Sequence, residues 1–143
     1  MLTYELNFNW EISLPDNWTG EYDSENGEYI FYPPDSSLTI RMTPFHAEKG
    51  GVPAPKELMK NAYINSASKS AVPRDIWECG LDGFSMMAYE DTQKSSGQTV
   101  YVISAGYFAE GELLSVNIYS TDKSECDEAV KYIKTLSRKD ALQ

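Results

Sequence analysis

Apolar and polar residues alternate without a break from Tyr4 to Leu14. Tyr4, Leu6, Phe8, Trp10, Ile12 and Leu14 share one parity, and Glu5, Asn7, Asn9, Glu11 and Ser13 share the other. A period of two places the first set on one face of a half-buried strand, so a single strand is expected, closed by Pro15-Asp16-Asn17. Residues 21–32 read as a hairpin turning at Asn26-Gly27, the dipeptide favoured where both central residues need positive φ. Leu38, Ile40 and Met42 alternate with Thr39, Arg41 and Thr43 in a further strand that Pro44 is expected to stop. Residues 45–54 are rich in Gly and Pro and read as loop. Leu58, Met59, Ala62, Tyr63, Ser66 and Ala67 recur at helical spacing, which predicts a helix near 55–69 with Pro55 in its first turn. Val72-Pro73-Arg74 ends it.

The middle of the sheet is expected at 99–120, a hairpin with two candidate registers. Ala109-Glu110-Gly111 suits a three-residue loop with Gly111 left-handed, which sets Phe108 opposite Glu112. A two- or four-residue loop sets Phe108 opposite Leu113 instead, and one face then carries Ile103, Ala105, Tyr107, Leu114, Val116 and Ile118. A one-residue slip moves every side chain of a strand to the other face. The cleaner apolar face outweighs the turn preference, so the second register is chosen. Ile76-Trp77-Glu78 reads as a short strand or an irregular crossing, Asp82-Gly83 as a turn, 84–90 as a strand and 92–98 as a polar loop. A last helix follows Ser120, with Asp122 and Glu125 as a variant capping box. Cys126, Ala129, Val130, Ile133 and Leu136 make its apolar stripe, and Lys131, Lys134, Arg138 and Lys139 fall where they suit its dipole. Its face is expected on Ala105, Val116 and Ile118. The order gives an α+β fold: an antiparallel β-sheet of about six or seven strands flanked by helices.

A chain of 143 residues reads as one domain, 1–143. It buries roughly 68–70% of its unfolded surface and needs no disulfide or metal to fold. Lys and Arg number 12 and Asp and Glu 22, a formal charge of −10. That surface repels nucleic-acid phosphate and anionic lipid and is compatible with a basic protein partner. The first ten residues have no basic segment and no apolar run of a signal peptide, and nothing approaches the ~18 apolar residues of a membrane span. A cytoplasmic protein is expected, unless an export signal precedes this sequence. Cys79 and Cys126, far apart, are expected reduced and buried rather than bridged.

The block Phe8-x-x-x-Ile12-x-Leu14-Pro15-x-x-Trp18 resembles the opening of the Mog1/PsbP-like superfamily, an apolar strand ending in a Pro-x-x-Trp-like turn. An Asp-containing turn at Asp35 before Leu38-Thr39-Ile40 follows, and a sheet hairpin and last helix close the chain at 99–136. A terminal Ser-Phe frequent in that family is replaced here by Leu136-Ser137-Arg138. The resemblance implies an α/β/α sandwich and members that bind proteins more often than they catalyse: a Ran-binding protein, photosystem accessory proteins, lipoproteins and bacterial effector chaperones. It carries no site residue across, and fold alone assigns no function.

The chemistry-bearing residues are sparse. His46 is the sole histidine, and neither cysteine lies in a nucleophile signature, so a loop histidine is expected rather than a catalytic one. Zinc spacing is missing. Glu21, Asp23, Glu25 and Glu28 bracket Asn26-Gly27, but the calcium-loop pattern fails, with Tyr22 five residues before Gly27 and Pro33 six after it. Gly50-Gly51-Val52-Pro53 lacks the Lys-Ser/Thr of a phosphate loop, and Ser95-Ser96-Gly97 lacks a strand-to-helix setting. No cofactor is expected.

Aromatics are the stronger signal, at 13% of the chain with ten tyrosines. The second hairpin holds Tyr22, Tyr29, Phe31 and Tyr32 beside Trp18, and its two faces cannot both meet one core. Trp18, Tyr22, Asp23, Glu25, Tyr29 and Tyr32 are therefore the candidate partner-binding residues, with Trp77 a weaker case. The expected function is a non-enzymatic, acidic, cytoplasmic protein-binding domain, an effector chaperone or immunity-type protein if the host is bacterial. The alternative is a small-molecule binder or enzyme with a pocket between the sheet and the 55–69 helix. Self-association through a sheet edge is a third possibility.

Overall fold

The structure, a computed structural model, describes residues 1–67, 69–74 and 81–139. The chain runs β1 (Leu2–Glu5), a 3-10 turn (Asn7–Asn9), β2 (Trp10–Leu14), β3 (Thr19–Asp23), β4 (Glu28–Tyr32), β5 (Thr39–His46), β6 (Glu48–Lys49), β7 (Val52–Pro53), α1 (Lys56–Ser66), β8 (Val72–Pro73), β9 (Ser85–Ser95), β10 (Gln98–Ala109), β11 (Glu112–Ser120), α2 (Lys123–Ile133) and β12 (Ser137–Arg138). Seven strands form one antiparallel sheet in the order β3-β4-β5-β11-β10-β9-β8. The α+β fold and the strand number expected from the sequence both hold. The expected crossing at Ile76-Trp77-Glu78, Trp77 as an interface residue and the state of Cys79 lie outside the described residues.

The central hairpin adopts the register with Phe108 opposite Leu113 and Tyr107 opposite Leu114. Its loop is Glu110-Gly111, with Gly111 at φ 71°. The loop is tied down from outside: the Gly111 N–H donates to the Ala54 carbonyl at 2.7 Å and the Ala47 N–H to the Gly111 carbonyl at 2.9 Å. One face of this hairpin packs Ala105, Val116 and Ile118 under Cys126, Ala129, Val130 and Ile133 of α2, all nearly inaccessible. Burial lifts the Cys126 thiol to about 11, so it is a packing residue rather than a nucleophile. A small sheet β1-β2-β12 closes the rest of that face with Leu6, Trp10, Ile12 and Leu14. The opposite face takes α1 through Met59 and Tyr63, which pack on Phe108 and Leu113. Helices on both faces make the α/β/α sandwich.

Several expectations are corrected. The alternation from Tyr4 to Leu14 is not one strand: Phe8 and Asn9 stand at φ 62° and 69°, and β1 folds back on β2 with Tyr4 opposite Ile12. Directly opposed residues share a face, so a hairpin keeps the same parity as a strand. The turn is held by partners distant in sequence, Arg138 Nε on the Phe8 carbonyl at 3.0 Å and the Lys139 N–H on the Asn9 carbonyl at 2.8 Å. Pro44 does not stop β5. It pairs with Leu114 on one side, and β4 pairing ends at Met42, so its missing N–H costs no ladder bond there. The hairpin of β3 and β4 turns through four residues rather than two, because the Asp23 carboxylate accepts the Glu25 and Asn26 N–H groups and the Asn26 amide. The supposed polar loop at 92–98 is strand on either side of Ser96-Gly97, both at positive φ, and 45–54 contains the β6–β7 hairpin. Leu58 and Ala62 of α1 face solvent. Asp122 does cap α2, accepting the Ser124 N–H at 2.9 Å, but its own N–H goes to Ser120 Oγ rather than to Glu125. Arg138 and Lys139 lie beyond α2, in and after β12, and serve tertiary contacts rather than the dipole.

Gly106 sets how closely α1 approaches. A Cβ there would stand 2.6 Å from the Tyr63 ring. Gly106→Ala is expected to destabilise the fold by about 1–3 kcal/mol, the usual cost of overpacking. Shortening the opposing side chain with Tyr63→Leu should recover part of the loss; chemical denaturation of the single and double variants checks this, and additive losses would disprove the contact.

Candidate functional site

The predicted binding residues do not form one patch. Trp18 is buried in the core, packed edge-on against Tyr132 at 5.0 Å, so it is withdrawn from any binding surface. A turn after β2 carries it there: the Trp18 N–H donates back to the Pro15 carbonyl at 3.1 Å. Tyr32 and Glu21 lie on the α1 face of the sheet, with the Tyr32 hydroxyl donating to Glu21 at 2.8 Å. That carboxylate raises the Tyr32 phenol above its ordinary value. Tyr22 and Tyr29 lie on the opposite face, their rings 4.6 Å apart. Asp23 is engaged in its own loop, its carboxyl held low chiefly by the Asn26 amide. Glu25 is exposed at the hairpin tip.

What remains is an edge. β3 ends the seven-stranded sheet, and Thr19 through Tyr22 are exposed. Tyr22, 49% accessible, stands on the rim of a groove of about 180 Å³ between β3–β4 and β1, lined by Tyr4, Leu6, Gly20, Tyr29 and Phe31. Gly20 keeps the groove open at the edge, because a Cβ there would meet the Phe31 and Tyr4 rings at 2.9 and 3.1 Å. Asn7 fastens the two tyrosines, its N–H to the Tyr29 hydroxyl at 3.2 Å and its amide to the Tyr22 hydroxyl at 3.4 Å.

One further cluster was not foreseen. Glu112 sits on the core parity of β11, 9% accessible, and its Oε1 receives His46 Nδ1 at 2.8 Å and Arg138 at 3.2 Å. Its Oε2 is buried and has no hydrogen-bond partner among the described residues. Phe8 stacks on the His46 ring at 5.5 Å, and Arg138 lies over the rings of Trp10 and Phe84. His46 is therefore the end residue of a strand bound to a buried carboxylate, not a loop histidine. The readable signal was a glutamate at the position where Leu114 and Val116 set an apolar rhythm. Among the described residues no group of three His, Cys, Asp or Glu is placed to hold a metal ion.

Where the sequence places the alternative pocket, between the sheet and the 55–69 helix, there is a recess of about 290 Å³ between the end of α1 and the sheet. It is floored by β9, β10 and β11 where α1 stops covering them. Another recess, of about 330 Å³, lies between β9, β10 and the start of α2, where Arg74 pairs with Glu90, and with Asp127 at 2.8 Å, while Lys123 also lines it. No helix among the described residues is long and apolar enough to cross a membrane.

No family model and no curated protein matches the chain. Solved structures share its fold. A crystal structure from Bacteroides thetaiotaomicron VPI-5482 matches with a TM-score of 0.70 at 15% identity, over 94% of this chain and 47% of that one, so the chain spans about half of its length. LpqN of Mycobacterium tuberculosis, a protein involved in cell envelope biogenesis, matches with a TM-score of 0.55 at 13% identity, over 90% of this chain and 82% of that one. Cyanobacterial PsbP (CyanoP) from Synechocystis matches with a TM-score of 0.46 at 9% identity, over 96% and 92%, too loose a likeness to argue from. At these identities the likeness is one of fold alone.

The Glu112 carboxylate raises the His46 pKa above its ordinary 6.5, with burial opposing and Glu48 assisting. A group held more basic in the folded state adds stability that is full below the unfolded value and is lost as pH rises through the folded one. The single histidine resonance in an NMR titration should have its midpoint above 6.5, and Glu112→Gln should bring it down; a midpoint at or below 6.5 in the unsubstituted protein would refute the pairing.

Proposed function

We propose that the chain is a non-enzymatic protein-binding domain of the cytoplasm, bacterial in setting, that takes an extended basic segment as an added strand along β3. The observation that carries this is the open, exposed edge of β3 with Tyr22 beside a groove on one face and Glu21 and Asp23 on the other. An added strand gains main-chain hydrogen bonds from the edge and specificity from alternate side chains. Its apolar positions would meet Tyr22 and Tyr4, and its basic positions Glu21 and Asp23. A second copy of the chain fits poorly, because antiparallel pairing of two β3 strands brings their own acids together, the device by which edges resist self-pairing. The formal charge of −10 steers a basic partner toward the surface. An effector chaperone or an immunity-type protein would use such an edge.

A second reading, a small-molecule binder at the α1 end of the sheet, is favoured by the recess of about 290 Å³ found there.

The main reading is tested by selecting binders from a random peptide library. Selected sequences should alternate Lys or Arg with apolar residues. Their affinity should fall as salt rises from ~0.1 to ~1 M, where the Debye length contracts from about 10 to about 3 Å. Tyr22→Ala should weaken them by roughly thirtyfold, the loss typical of an interface anchor. Selection of acidic or unpatterned peptides, or undiminished binding to Glu21→Lys, would overturn it.

A further inference from the structure

The α1 face of the sheet is covered for only part of its length. Tyr63 lies against Gly106 and reaches Ser104, its hydroxyl 2.8 Å from Ser104 Oγ. Burial pushes that phenol up to about 12, so it stays a neutral hydrogen-bonding group at any physiological pH. Past Ser104 the helix ends and the strands floor a recess, with Val102 buried at its base. Pairing places Tyr89 opposite Ser104 and Ser104 opposite Asn117 in one row, then Asp91 opposite Val102 and Val102 opposite Tyr119 in the next. Two half-buried tyrosines thus stand on either side of β10 and one row apart, about 12 Å between their backbones. Ser66 and Ala67 at the end of α1 close one side of the recess.

The polar groups around this space are of one kind. Asn117 and Gln93 carry carboxamides and Ser115 a hydroxyl, groups that both donate and accept. Among the described residues none of these three side chains is engaged in a hydrogen bond within the protein. No described Lys or Arg lines the recess, which disfavours a phosphate or carboxylate ligand. Asp91 already accepts from Ser70 Oγ at 2.6 Å and from the Thr92 N–H at 2.8 Å, which disfavours an ammonium ligand drawn to a bare carboxylate. Hydroxyls likewise both donate and accept, and the C–H faces of a hydroxylated ring pack on aromatic rings. The volume, about 290 Å³, is at the lower end for small-ligand sites and admits a single ring.

We propose that this recess binds a neutral polyhydroxylated ring, such as a saccharide or a cyclitol, between Tyr89 and Tyr119 with Asn117, Ser115 and Gln93 on its hydroxyls. The proposal rests on the second reading above, that a small molecule occupies this recess, and it names the class of that molecule. The test is a ¹H–¹⁵N NMR titration of the full chain with glucose, galactose, N-acetylglucosamine and myo-inositol. Putrescine and inorganic phosphate form separate arms. A saturable shift of the Ser104, Ser115, Asn117 and Tyr119 amides with at least one polyol is expected. Asn117→Asp, isosteric but only an acceptor, and Tyr119→Ala should each weaken it by about tenfold or more, with their spectra otherwise unchanged; Tyr22→Ala should leave it intact. Saturable binding there of putrescine or phosphate alone would overturn the ligand class and leave the second reading standing. No saturable shift with any probe, a face that holds only water, would overturn both.

Discussion

The ladder between β10 and β11 holds the molecule together, because each of its rows must be covered on both sides at once. Once Tyr107 faces Leu114, the residues Ala105, Val116 and Ile118 point to one side and Gly106, Phe108 and Leu113 to the other. A slip of one residue would exchange the two sets. Apolar area removed from water stabilises at roughly 25 cal/mol per Å², so the side with the larger apolar set attracts the larger roof. That side receives both α2 and the small sheet β1-β2-β12. The other receives the eleven residues of α1, with Ala54 beside them on Phe108 and Leu113.

The asymmetry of the two roofs creates the surfaces on which function can be built. A short helix over a long sheet leaves a recess on one face, and Asn117, Ser115 and Tyr119 surround Val102 there. At the far edge the small sheet stops short of β3, leaving the groove under Tyr22. Both places are gaps in coverage rather than dedicated loops. The fold therefore needs no change of core to acquire or lose either one.

The Glu112 cluster shows how the ends of the chain are brought in. A carboxylate in a core position must be paired to avoid a heavy desolvation cost. Its partners come from β5 and from β12, at opposite parts of the sequence. The same Arg138 secures the Phe8 turn and lies over Trp10, so one cation fastens the N-terminal hairpin, the C-terminal strand and the central ladder. Loss of that side chain removes packing as well as charge.

Alternation and helical spacing along the sequence were enough for the α+β class, the central register, the stripe of α2 and its Asp122 cap. Those depend on side-chain periods that neighbouring residues express by themselves. The fold-back at Phe8 and Asn9 was not legible, because a hairpin and a strand give the same parity and the bonds that hold the turn come from Arg138 and Lys139. The burial of Trp18 against Tyr132 and the seating of His46 on Glu112 were equally hidden. Likewise, that Tyr22 stays exposed while Tyr32 turns to the other face depended on which neighbour covers each row. Contacts between residues distant in sequence, His46 with Glu112 or Trp18 with Tyr132, leave no local period, and only the assembled chain decides them.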